Sequence, residues 1–252
     1  MSTYLKTDIN QGTAVVTIDR PEKKNALSPA VLVEIDGTFR ELNDNTAVNV
    51  IVLTGGETLF SAGFDLEVVR AIQRETNDDF ISLFHSAYRS ILFCSQPVIA
   101  AVGGPAIAGG FDLTMMCDIR YASEQARFGQ REIALSLTPI MDPLWRIIGL
   151  GRAREVALTG RIYDAAEAEK MGYVSAVFPQ GQLLESVLPI AREMAAYDGR
   201  CLRETKVLSN MILDEDLDGA MRTQEWLFRS YIGSADNQDR VDRLLASLKK
   251  PR

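Results

Sequence analysis

The chain has 252 residues, 46% hydrophobic and 24% charged, with a formal net charge of −7 and a single histidine. That length and balance suit one α/β unit, or one unit with a smaller appendage, around a sizeable buried core. The acidic balance leaves no basic stripe for a nucleic-acid backbone, so no nucleic-acid partner is expected.

The amino-terminal stretch MSTYLKTDINQG shows neither a secretory pattern nor an organelle-import pattern, and a cytoplasmic protein is expected. Residues 13–20, TAVVTIDR, alternate as a strand that Pro21 ends. The loop from Pro21 to Leu27 carries the adjacent lysines Lys23 and Lys24, which read as solvated. Ser28-Pro29 is a helix start, with a serine cap and proline at the first helical position. Val31, Leu32, Ile35, Phe39 and Leu42 then recur at helical spacing. A strand over 48–54 follows, and a helical region over 65–94. The polar run ETNDD at 75–79 is expected to interrupt that region as an exposed loop.

His85 stands in an apolar helical pattern with Phe84 and Tyr88 and is read as a packed or surface residue. Strand 97–102, helix 109–117 and strand 118–123 come next. Residues 97–117 are apolar, but Pro105, Asp112 and four glycines argue against a membrane span. Residues 151–171 predict two helices divided at Thr159-Gly160, the second capped by Asp164. After a strand at 174–178, residues 183–248 are helical in pattern, with breaks near Asp198-Gly199, Asp214–Asp218 and Ser234-Ala235. Cys94, Cys117 and Cys201 are widely spaced among apolar residues, and are expected as buried reduced thiols with no metal or redox motif. The alternation of elements predicts an α/β core over 1–195, with a helical region over 196–252.

Two strand-to-helix junctions carry the chemistry. One is Leu59-Phe60-Ser61-Ala62-Gly63-Phe64-Asp65-Leu66, and the other is GGPAIAGGFDLTMMCD from Gly103 to Asp118. Glycines there let the backbone approach a ligand, and a helix start offers free, electropositive amides. Taken alone, the second junction is equally a tight turn with an acid favouring the helix dipole. Two amides converging on one oxygen would make an oxyanion hole. Asp112 sits one turn inside an apolar helix, and Glu132 supplies a second carboxylate 20 residues later.

FSAGFDL, GGPAIAGGFDLTMMCDIRYAS and ARFGQREI resemble the enoyl-CoA hydratase/isomerase (crotonase) superfamily in order and spacing, as does KKNALS near the start. The resemblance implies an α/β fold, a crotonase-like spiral of ββα units with a C-terminal helical region that helps form a homotrimer or homohexamer. It implies an acyl-CoA thioester as substrate, with coenzyme A belonging to the substrate and no separate cofactor or metal. The main-chain amides of Phe64 and Gly109 would form the oxyanion hole, and Asp112 and Glu132 would be the catalytic pair. Lys24, Ala26, Ala62, Gly63, Phe64, Asp65, Leu66, Gly109 and Pro139 would line the substrate site. The 75–79 region would border the acyl tail, and Lys249 and Lys250 would be a charged end or face a neighbour's coenzyme A.

The sequence departs from the hydratase pattern in two places. Those enzymes usually carry Glu at the position of Asp112, and a run close to GxxPxxGG after the second acid. Here that run is Ser136-Leu137-Thr138-Pro139-Ile140-Met141-Asp142-Pro143-Leu144-Trp145, and Ile140, Met141 and Trp145 are expected to reshape the space over the reacting carbons. Dienoyl-CoA isomerases add an Asp eight residues beyond the Glu, where this chain has Ile140, with Asp142 two residues later. Hydration of a 2-enoyl-CoA to a 3-hydroxyacyl-CoA is the expected reaction. Enoyl- or dienoyl-CoA isomerisation is the alternative, and hydrolysis, carbon–carbon cleavage or non-catalytic acyl-CoA binding stand behind it.

Overall fold

The computed structural model describes residues 4–73, 75, 77–212 and 215–248. The chain divides into two compact units, residues 1–203 and 204–252. The first begins with β1 (Leu5–Asn10) and β2 (Thr13–Ile18), paired antiparallel. Their two-residue turn, Gln11-Gly12, has φ of 51° and 74°, which matches the twist of the paired strands. β1 was not read from the sequence, since it is an edge strand of which only Leu5 is buried.

A 3-10 turn at Pro21–Lys23 leads to α1 (Pro29–Asp44), where the Ser28 side chain accepts from the Val31 amide. The buried residues of α1 are Val31, Leu32, Ile35, Phe39 and Leu42, as their spacing predicts. Truncating Phe39, which is 0% exposed, to alanine would cost about 3–5 kcal/mol. The chain continues through β3 (Val50–Thr54), α2 (Leu66–Ala71), α3 (Asn77–Leu92), β4 (Val98–Val102), β5 (Pro105–Ile107) and α4 (Gly109–Met115). Then come β6 (Ile119–Ser123), β7 (Arg127–Gly129), α5 (Leu144–Thr159), β8 (Tyr163–Asp164), α6 (Ala165–Lys170), β9 (Ala176–Phe178) and α7 (Leu183–Ala195).

Six strands form one sheet in the order β1-β2-β3-β4-β6-β9, parallel from β2 onward. A second sheet has the order β5-β7-β8. Every residue of β3 and β4 is buried, as in a parallel sheet covered on both faces. Alternate residues serve two cores. Ile51 and Leu53 pack with Ile35 and Phe39 on one side, and Val50 and Val52 with Leu183, Val187 and Ala191 of α7 on the other.

Two expectations are corrected. Asn77, Asp78 and Asp79 are not loop but the first turn of α3, where carboxylates complement the positive end of the helix. Thr76 of the same run lies outside the described residues. Cys94 and Cys117 are buried thiols outside any disulfide, but Cys201 is exposed, since it lies in the first turn of α8 (Gly199–Met211), with its amide donating to Asp198.

The second unit holds α9 (Leu217–Tyr231), capped by Asp216, and α10 (Ala235–Leu248), neither of which has a buried residue. Lys249 and Lys250 lie outside the described residues. Among the described residues, no helix is long and apolar enough to cross a membrane.

Candidate active site

Hydrogen bonds lace four chain segments side by side. Residues 24–27 lie along 62–65 through Ala62 N to Lys24 O (3.0 Å), Leu27 N to Gly63 O (2.8 Å) and Asp65 N to Leu27 O (3.2 Å). Residues 60–61 reach β5 through the Phe60 and Ser61 amides, both donating to Pro105 O, and Ile107 N returns a bond to Ser61 O. Ala108 N then donates to Gly129 O, joining β7 to the start of α4. Asn25, only 1% exposed, clips the assembly. Its Oδ1 accepts from Arg20 N, and its Nδ2 donates to Gly55 O and Phe60 O.

This lacing needs glycine where backbones touch. Gly63 has φ +90°, and a Cβ there would lie 2.6 Å from Ile107 O and 3.0 Å from Gly109 N. The Gly63-Phe64 and Ala108-Gly109 peptides are therefore neighbours. Ala108 itself adopts φ 51°, ψ −127°, a region that costs a residue with a Cβ about 1–3 kcal/mol and that clusters at functional sites. Gly109 opens α4, so its amide has no intrahelical acceptor. Neither the Phe64 nor the Gly109 amide has a hydrogen-bond acceptor among the described residues. Two adjacent free amides can hold one oxygen as negative charge develops on it.

Asp112 lies one turn into the helix that Gly109 opens, and Glu132 is close enough for its charge to act on Asp112. Asp112, 1% exposed on α4, and Glu132, 7% exposed at the start of a 3-10 turn, are both buried. Asp112 Oδ1 accepts from Gln130 Nε2 at 3.3 Å, and Oδ2 accepts from Tyr88 Oη at 3.4 Å. Both Glu132 carboxylate oxygens, and Gln130 Oε1, have no hydrogen-bond partner among the described residues. Burial, and then the Glu132 charge, push Asp112 well above the usual carboxylate range, against the opposing pull of Gln130 and Tyr88. Burial also raises Glu132, partly offset by the amides of its own residue and Arg131, which approach without closing a hydrogen bond. Such a pair holds a proton at higher pH than an exposed carboxylate does, and one member can then give a proton while the other takes one.

The remaining predicted residues divide. Ala26 and Pro139 are buried, whereas Lys24, Ala62 and Leu66 are exposed. The Asp65 carboxylate is committed to the fold, capping α2 through Glu67 N and pairing with Arg20 at 3.1 Å. Of the three bulky residues expected over the reacting carbons, Ile140 and Met141 pack on the core. Trp145 is 39% exposed, with the Arg146 guanidinium 4.8 Å from its ring. His85 is exposed and stacks on Phe84.

Sequence reasoning missed Tyr88, Gln130 and Asn25 as parts of the site. For Gln130 a signal existed, since it lies two residues before Glu132 on the same short stretch. Phe64, Phe80, Phe84 and Tyr88 form one aromatic cluster, with Phe64 ring centroids 5.2, 5.3 and 6.5 Å from the other three.

A spiral of parallel strands that presents paired amides and paired buried acids defines a crotonase-fold enzyme. The chain belongs to the enoyl-CoA hydratase/isomerase family, whose profile matches residues 8–249. A "Probable enoyl-CoA hydratase" of Rhizobium meliloti (strain 1021) is 34% identical over 238 residues, covering 93% of this chain and 92% of that protein. A "Short-chain-enoyl-CoA hydratase" of Clostridium acetobutylicum is 32% identical over 240 residues, covering 94% of this chain and 92% of that one. The crystal structure of an enoyl-CoA hydratase from Bacillus anthracis superposes with a TM-score of 0.93 at 29% identity, covering 97% of each chain.

Proposed function

We propose that the protein hydrates a 2-enoyl-CoA to the 3-hydroxyacyl-CoA, using no cofactor beyond the coenzyme A of the substrate. What supports this reading is Asp112, buried one turn into the helix that the free Gly109 amide opens and close enough to Glu132 for that charge to raise it. The thioester carbonyl oxygen accepts from both amides, which polarises the conjugated double bond. Water adds its oxygen to C3 as one carboxylate takes its proton. The charge that reaches the thioester oxygen is held as an enolate. The other carboxylate delivers a proton to C2, and the pair ends with as many protons as it began with. Losing one amide donor of this kind typically costs roughly 100- to 1000-fold in rate. The hydratase names of its relatives support the same reading.

The test is a set of three variants assayed with a 2-enoyl-CoA and a 3-enoyl-CoA. Glu132→Gln is expected to abolish turnover. Asp112→Asn is expected to fall by several orders of magnitude if the two acids act as a unit, and Asp112→Glu to raise hydration if water placement is limiting. Full hydration by Glu132→Gln would refute the two-carboxylate mechanism.

A second reading, 3-enoyl to 2-enoyl isomerisation, is favoured by one observation. Asp112 is hydrogen-bonded at both oxygens while Glu132 is bonded at neither among the described residues, which suits one mobile acid. In that case Asp112→Asn keeps much of its rate on the 3-enoyl substrate.

A further inference from the structure

Tyr88 is buried on α3, at 2% exposure, and its ring packs against both Phe64 (centroids 6.5 Å apart, 16° from parallel) and Phe84 (centroids 5.6 Å apart). Its hydroxyl lies 3.2 Å from Gly109 O and 3.4 Å from Asp112 Oδ2. A Cβ on Gly109 would stand only 3.1 Å from that hydroxyl, so it closes on the first turn of α4. Gln130 Nε2 meets the other Asp112 oxygen and also donates to Ile140 O at 2.6 Å.

A tyrosine that merely filled space would be satisfied by the Gly109 carbonyl. Its single hydroxyl proton can go to only one acceptor at a time, however, and an ionised carboxylate is the stronger one. The proton therefore swings to Asp112 when Asp112 is charged and to Gly109 O when it is not. We propose that Tyr88 is a positioning residue whose hydroxyl, braced by the Phe64 and Phe84 rings, holds the ionised Asp112 carboxylate in its working orientation. The titratable groups facing Asp112 are Glu132 from the 3-10 turn, Tyr88 from α3 and Tyr173 beyond α6. Tyr173 is engaged by Thr114 Oγ1 at 2.6 Å, which leaves Tyr88 as the phenol hydrogen-bonded to the carboxylate.

The kinetic arm rests on the hydration reading; the spectroscopic arm does not. Tyr88→Phe keeps the ring and removes the donor. Hydration of crotonyl-CoA is expected to lose about 10- to 100-fold in kcat with little change in KM. The acid limb of the kcat profile should move to higher pH, because a donor to the charged form of Asp112 is gone. Tyr88→Phe combined with Asp112→Asn should be no slower than Asp112→Asn alone. A site-specific fluorotyrosine at 88 preserves packing, strengthens the donor and should move the limb the other way. In protein labelled with 13C at aspartate carboxyls, the Asp112 titration should shift upward in Tyr88→Phe and downward with fluorotyrosine. An unmoved Asp112 titration overturns the proposal, as does a double variant whose losses multiply. If the unmodified protein hydrates no 2-enoyl-CoA, the functional reading fails and the carboxyl titration still decides the role of Tyr88.

Discussion

Asp112 and Glu132 burden the fold in the form that chemistry needs. A carboxylate whose folded-state pKa is raised contributes its full stability below the ordinary carboxylate range, and that contribution is lost as pH rises through the raised value. Burial raises both members of this pair. Asp112→Asn removes the burden while keeping the shape. It is expected to raise Tm by about 2–4 °C at pH 7.5 and to give no gain below about pH 4, in the range where model carboxyls are protonated. Thermal scans at both values check this, and an equal gain at both would exclude the buried charge as its source. At this scale the acids were legible because Asp112 breaks an apolar helix start and Glu132 follows a short polar run. Tyr88 was not, since its partners Gly109 and Asp112 are 21 and 24 residues away. On its own helix it looks like one more core aromatic.

Backbone contact, more than side-chain choice, sets the two amides at the level of elements. Gly63→Ala would meet Ile107 O at 2.6 Å in a conformation with φ +90°. It is expected to cost about 1–3 kcal/mol of stability and to lower kcat roughly 100-fold or more by moving the Phe64 amide. Gly37→Ala is the matched control. It lies inside α1 with nothing within 4 Å of the added methyl, and should stabilise by about 0.5–1 kcal/mol without touching activity. Urea titrations and crotonyl-CoA kinetics on both variants test the pair. Helices were legible at this scale because their ends are written in the chain: Ser28 with Pro29, Gly160 at φ +55°, and Asp164 with Glu167 in a capping box. The strands β5, β7 and β8 were not read from the sequence, being only two or three residues long. Their pairing is decided by neighbours far along the chain.

For the molecule as a whole, the family was legible from three motifs and their order, but the assembly was not. Leu217, Trp226, Phe228 and Ile232 are 82%, 67%, 71% and 65% exposed, more apolar surface than a lone chain usually carries on a single helix and its cap. A trimer or a pair of trimers is expected from light scattering at micromolar concentration. Replacing Trp226 and Phe228 together by glutamate should shift the population toward single chains, and an unmodified protein that is already monomeric would overturn this expectation. The catalytic candidates Phe64, Gly109, Asp112 and Glu132, and the substrate-side residues from Lys24 to Pro139, fall in the unit of residues 1–203. Inheritance can therefore act on the chain at two tempos. Changes at those site residues are tested at once by loss of turnover. A change on the exposed apolar face of α9 meets a different test, that of association, which the Trp226 and Phe228 double variant reads out.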